Sequence, residues 1–145
     1  TDLQINFISL VKVIQSVLPN LLASEQASIV AFSSVAATMG MPFHTSVAAS
    51  KGAIEGFAKA LAAEYAPKIR VNVIAPSLTD TPLADKFLNN ETKQEKSAER
   101  HPLKRFGKPE DSAQMATFLL SDKSSWISGQ IFHVDGGMST LLVNG

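Results

Sequence analysis

Leu3, Phe7, Leu10, Ile14, Val17 and Leu21 recur at alternating spacings of four and three residues, one stripe of an α-helix. Ile8, Val11, Leu18 and Leu22 widen the stripe, so this helix is expected to be covered on more than one side. Pro19 lies inside it, at a position able to kink a helix, and the polar Ser24-Glu25-Gln26 ends it. Ile29 to Phe32 is a short unbroken apolar run between two helical patterns, as expected of a buried parallel strand. Beyond a loop with Gly40 and Pro42, an alanine-rich helix is predicted from about Ala48 to Ala66. Gly52 and Gly56 lie on it. Glycine inside a helix costs about 1 kcal/mol, so a close helix–helix approach is the expected reason for the pair.

Val71 to Ala75 reads as a second strand stopped by Pro76. The polar stretch from Asp80 to Arg100, with scattered Leu83, Phe87 and Leu88, predicts a mobile helical lid. Pro109 starts a further helix, with Glu110 and Asp111 complementing the dipole of its first turn, and the pattern runs to about Leu120. Ile131 to Val134 is the third strand, halted by Asp135-Gly136-Gly137. The order of elements predicts an α/β fold, three parallel strands with flanking helices joined by right-handed crossovers. Ligands of such sheets bind outside the carboxyl ends of the strands, so the residues just after each strand carry the interest.

Composition narrows the class. The chain has 145 residues, at most one domain, and 45% hydrophobic with 18% charged residues suits an ordinary globular protein. A net charge of zero gives no electrostatic footprint for nucleic acid or a membrane surface. With no cysteine there is no disulfide framework, thiolate metal site or thiol nucleophile, and a cytoplasmic setting is compatible. No apolar run is read as reaching transmembrane length, and no histidine has metal-ligand spacing to an acidic residue. The sequence opens on Thr1 already in a strongly apolar helical pattern, which suggests part of a longer protein.

Four segments, in order, resemble the short-chain dehydrogenase/reductase family. They are Ile29 to Ser34; Ser50-Lys51-Gly52-Ala53 followed by Leu61 to Glu64; Arg70 to Pro76; and Arg105 to Asp111 running on to Gly129 through Gly137. The resemblance covers nearly the whole chain. It implies the C-terminal half of a Rossmann-type doubly wound parallel sheet, so that residues 1–145 form a single partial domain without the dinucleotide-binding half. It further implies an NAD(P)-dependent oxidoreductase moving hydride between a nicotinamide cofactor and a carbonyl or alcohol. Ser34 matches the catalytic serine, Lys51 the lysine that binds the nicotinamide ribose, and Asn6 an asparagine holding a water of the proton relay. Pro76, Thr79 and Thr81 match the segment that contacts the nicotinamide.

The family's Tyr-x-x-x-Lys reads Val47-Ala48-Ala49-Ser50-Lys51 here, and valine neither donates nor accepts a proton. His44 is the nearest titratable candidate to replace the tyrosine, since an imidazole titrates near neutrality, though it stands before the helix and not one turn from Lys51. The family's Pro-Gly turn is altered to Pro76-Ser77, and the Gly-rich pyrophosphate turn has no counterpart, so NAD and NADP both remain open. His101 and His133 are read as structural, Asp135 as support for the final turn, and Tyr65 as too far along the helix to be the missing acid. The competing reading is a catalytically impaired relative kept for cofactor binding or as an oligomeric scaffold. The family's use of the first two helices as subunit contacts implies a homodimer or homotetramer, with a small-molecule substrate, no nucleic acid and no membrane.

Overall fold

The computed structural model describes residues 1–144. A π-helical segment, Leu3–Ile8, leads into helix α1 (Ser9–Ala23). The chain continues through strand β1 (Ala27–Phe32), helix α2 (Thr45–Tyr65) and strand β2 (Ile69–Pro76). Two short helices, α3 (Asp85–Leu88) and α4 (Glu91–Arg100), precede α5 (Pro109–Leu120) and strand β3 (Ile131–Val134). The three strands form one parallel sheet in the order β1-β2-β3. Ala27 pairs with Ile69 and Phe32 with Ile74, while Val73 pairs with Ile131 and Pro76 with Val134. The fold class expected from the pattern is present.

β2 is the centre. From Val71 to Ala75 every residue is buried, as a parallel strand covered on both faces requires. Ile69, Val71 and Val73 share one face and pack with Ala27 and Ala31 of β1 against Ile54, Ala58, Leu61 and Ala62 of α2. Ile14 of α1 joins this cluster, and Phe7 meets Phe57 edge to face at 5.6 Å between ring centroids. On the opposite face α5 lies across the sheet. There Ser28 Oγ donates to the Leu119 carbonyl at 2.7 Å, and Arg70 donates to the carbonyls of Leu119, Ser121 and Ser124 at the end of α5. The Leu119 carbonyl is one that the last turn of α5 leaves without a helical partner, so the guanidinium ties the end of α5 and the 3₁₀ segment after it to β2. Buried Asn72 is satisfied as well: its amide donates to the Ile127 carbonyl and its oxygen accepts from Gln130 N, both at 3.1 Å. Among the described residues, β1 pairs on one flank only.

Several expectations shift. The first and second strands begin two residues earlier than their apolar cores, because ladder pairing extends past the apolar run to Ala27 and Ile69. Of the expected stripe on the first helix, Phe7, Leu10, Ile14 and Leu21 reach the core, but Leu3 and Val17 are exposed and Leu18 packs inward instead. The helix continues past Pro19 to Ala23. The reading that no apolar run reaches transmembrane length is corrected, since Leu3–Ala23 form one helix of 21 residues that is long and apolar enough by length and composition alone. Its polar residues are scattered through the pattern, which hides the length. Nor do Gly52 and Gly56 make a close helix approach within this chain, because a Cβ at either would meet nothing within 4 Å. The expected lid resolves into α3 and α4, with Asn90 capping α4 through Lys93 N at 2.9 Å.

At the start of α5, Asp111 accepts from Lys108 N at 2.7 Å and pairs with Arg105 at 2.7 Å. The Arg105 hydrogen bonds, then the Lys108 amide, pull this carboxyl down to about 2. A depressed carboxylate pKa contributes stability that is fully present above the ordinary value, about 3.9, and lost as pH falls through the folded one. Urea midpoints of the wild type should therefore fall between about pH 4 and about pH 2, and Asp111→Asn should lack that component. Separately, Ile74→Ala, at a side chain with no exposed surface, should lower the urea-unfolding free energy by about 2–5 kcal/mol.

Candidate active site

The carboxyl ends of the strands open onto a cleft of about 410 Å³. Ser33 N donates to the Ile74 carbonyl at 2.8 Å, holding the end of β1 against β2. Ser34 then turns the chain into a short 3₁₀ segment, Val35–Ala37, whose Ala36 N donates to Ser34 Oγ at 3.1 Å. This bond uses one lone pair of the hydroxyl and leaves its hydrogen unassigned. Ser34, His44, Pro76, Thr79 and Thr81 all line the cleft, so five of the residues singled out from the sequence do converge. Apolar Leu83 and Phe87, from α3 and the turn before it, form the outer wall with Met41 and Met138.

The residues after β2 are held from a distance along the chain. Thr79 bridges Gly107, with Gly107 N donating to the Leu78 carbonyl and Asp80 N to the Gly107 carbonyl, each at 2.9 Å. A Cβ at position 107 would stand 3.0 Å from Thr79 Oγ1 and 3.3 Å from the Leu78 carbonyl oxygen, so this close approach favours glycine. Thr81 makes no side-chain bond to the turn it caps.

Lys51 and Asn6 sit elsewhere. Lys51 Nζ donates to the Phe32 carbonyl at 3.2 Å, and burial lowers its pKa from the ordinary value. Asn6 Nδ2 donates to Ser50 Oγ at 3.1 Å, and Ser50 in turn donates to the Val47 carbonyl at 3.0 Å. Lys51 thus bonds to the end of β1 and Asn6 to α2, and neither lines the cleft. Of the three residues matched to the family's catalytic serine, lysine and asparagine, Ser34 alone lies in the cleft lining. The physical reason is the hydrogen bonding of Lys51 and Asn6 to β1 and α2. His44 is the residue before α2, with Nδ1 2.7 Å from the Pro42 carbonyl, seven positions ahead of Lys51 in the sequence.

One pair escaped the sequence reading. Ser77 Oγ lies 2.6 Å from Nε2 of His101, a residue read there as merely structural. Both line the cleft and also a second cavity of about 360 Å³, on the side of β3. The available sign was the serine after Pro76, where a glycine was expected. Asp135 behaves as read: burial pushes its carboxyl up, but bonds from Ser139 and Gly137 N outweigh this and leave it below the ordinary value.

Residues 1–139 match the family model described as Enoyl-(Acyl carrier protein) reductase. The chain belongs to the short-chain dehydrogenase/reductase family. It is 41% identical to a 3-oxoacyl-(acyl-carrier-protein) reductase of Thermotoga maritima, over 94% of this chain and 55% of that protein. A gluconate 5-dehydrogenase from Burkholderia cenocepacia, solved with NADP and tartrate, superposes with a TM-score of 0.88 at 28% identity, covering 94% of this chain and 54% of that one. A 3-oxoacyl-(acyl-carrier protein) reductase from Brucella melitensis with bound NAD gives a TM-score of 0.82 at 33% identity, over 94% and 50% of the two chains. The chain thus spans about half the length of the family members it matches. Membership makes the absent tyrosine a departure within the family.

Because desolvation destabilises the Lys51 ammonium, its side-chain NMR resonances should titrate below the ordinary lysine value. Titration at or above that value would contradict the partial burial of Lys51.

Proposed function

We propose that this chain forms the substrate and nicotinamide half of an NAD(P)-dependent oxidoreductase that interconverts a carbonyl and an alcohol. The observation that carries this reading is the cleft at the carboxyl edge of the sheet that Ser34, Thr79 and Thr81 line together. The residues present fit the nicotinamide end of the cofactor. The Thr81 hydroxyl is not consumed by its own turn, and the Lys51 ammonium has hydrogens beyond the one given to Phe32. A Gly-rich strand–turn–helix for the pyrophosphate is not found among the described residues, so a further segment is proposed to supply that half.

When bound, such a cofactor gives or takes the hydride. This chain orients the reacting groups. Ser34 is placed to hydrogen-bond a substrate oxygen, Thr79 and Thr81 to hold the carboxamide region beside Pro76, and Lys51 with Asn6 to support the ribose side. The Leu83 and Phe87 wall favours a substrate with an apolar portion next to the reacting carbon. One relative was solved with NADP and another with NAD, and both cofactors stay within the proposal. The open faces at Gly52 and Gly56 and the exposed Ile5 and Val13 support a homodimer or homotetramer. A cytoplasmic setting belongs to the same reading.

Val47 supports a second reading, a relative that binds cofactor without turning it over. The discriminating measurement is NAD(P)H turnover against ketones, aldehydes and alcohols, made on the protein carrying this chain with its nucleotide-binding half. Turnover is expected, and Lys51→Ala and Ser34→Ala should each lower kcat/KM by about 10²-fold or more, in the range of a positioned polar group. Cofactor binding with no turnover of any substrate would favour the second reading. Unchanged kcat/KM in Lys51→Ala would remove Lys51 from the site.

A further inference from the structure

Ser77 follows directly on Pro76 at the carboxyl end of the central strand, with its N–H directed at the Val134 carbonyl of β3. Its hydroxyl meets His101 Nε2 at 2.6 Å, and the other ring nitrogen, Nδ1, lies 2.7 Å from the Ser97 carbonyl oxygen. A carbonyl oxygen can only accept. Nδ1 therefore carries the hydrogen of the neutral ring, and Nε2 presents its lone pair to Ser77. The single hydroxyl hydrogen goes to that nitrogen, which leaves Met138 Sδ, 3.2 Å from Ser77 Oγ, as a packing contact. His101 is only 2% exposed, so water does not compete for either nitrogen.

The pair is thus a serine polarised by a base whose tautomer is set by the backbone, in the wall of the cleft that also holds Ser34, Thr79 and Thr81. Its rival does not have this arrangement. His44 spends Nδ1 on the Pro42 carbonyl in a similar way, but among the described residues no hydroxyl partners its other nitrogen. Tyr65 packs against the core at the far end of α2.

We propose that Ser77 and His101 form the proton-accepting pair of this cleft, in place of the phenol that Val47 lacks. The proposal rests on the oxidoreductase reading above. In the oxidation direction the substrate's O–H bond breaks and its proton passes to Ser77 Oγ, while the hydroxyl proton of Ser77 passes to His101 Nε2. The C–H electron pair leaves as hydride for a nicotinamide cofactor, and the C–O bond becomes a carbonyl. His101 ends as an imidazolium, with Nδ1–H still donating to Ser97 and Nε2–H donating to Ser77, so the new charge is hydrogen-bonded at both nitrogens. Reduction is the same sequence reversed.

Two measurements test it. On this chain alone, ¹⁵N NMR of the imidazole should show His101 with hydrogen on Nδ1 and an unprotonated Nε2 whose shift moves in Ser77→Ala; hydrogen on Nε2 would overturn the proposal. On the protein that carries this chain with its nucleotide-binding half, Ser77→Ala should lower kcat by about 10²–10⁴-fold, with KM and cofactor Kd nearly unchanged. Ser77→Thr should recover much of the loss, and adding Val47→Tyr to Ser77→Ala should recover part of it. Wild-type kcat in Ser77→Ala, beside a wild type that turns over, would overturn this proposal and leave the oxidoreductase reading standing. A wild type with neither cofactor binding nor turnover would take down both.

Discussion

Burial of β2 from both sides is the condition on which the other features rest. A strand whose neighbours along the chain are all removed from water must have its backbone groups paired with strands on each flank, and here β1 and β3 supply them. Side chains on the two faces then need separate covers, provided by α2 on one side and α5 on the other. Crossovers carry the chain up one strand and back down a helix, so every strand ends at the same edge. The turns leaving that edge carry Ser34, Ser77, Thr79 and Thr81 to one cleft. The cleft follows from the sheet's connectivity before any side chain is chosen for chemistry.

Chemistry is then a matter of which side chains stand at the gap. The helical turn before Lys51 offers a methyl-bearing side chain at Val47, so α2 contributes a cation and, through Asn6 and Ser50, an amide contact, but no acid at that position. Polar capacity is concentrated instead after β2, where Ser77, Thr79 and Thr81 follow one another at alternate positions. Ser77 is tied to β3 through Val134, and Thr79 to the segment before α5 through Gly107. Polar groups at the end of the central strand are thus backed by the ladder beneath them.

The fold was legible because its signals are local. Unbroken apolar runs marked β1, β2 and β3, and the Pro109 start with its acidic first turn marked α5, since burial on both faces and dipole complementarity write themselves into consecutive residues. What stayed hidden depends on direction in space. Ser34, His44, Thr79 and Thr81 were assigned to one region and do share it, but sequence spacing could not say that Lys51 would turn to the Phe32 carbonyl and so stand outside the cleft lining. His101 lacked any neighbour in the sequence to suggest a role. Its partner is twenty-four positions away along the chain and 2.6 Å away in space. Gly52 and Gly56 illustrate the converse, a local pattern that meets no close approach among the described residues.

β1 has one further implication. Along Ala27–Phe32 the flank turned away from β2 carries amides and carbonyls spaced for another strand, flanked by the partly buried Ile29 and Val30 and the exposed ring of Phe32. Whatever extended segment arrives first can be zipped onto it. The same strand of a neighbouring molecule is one such segment.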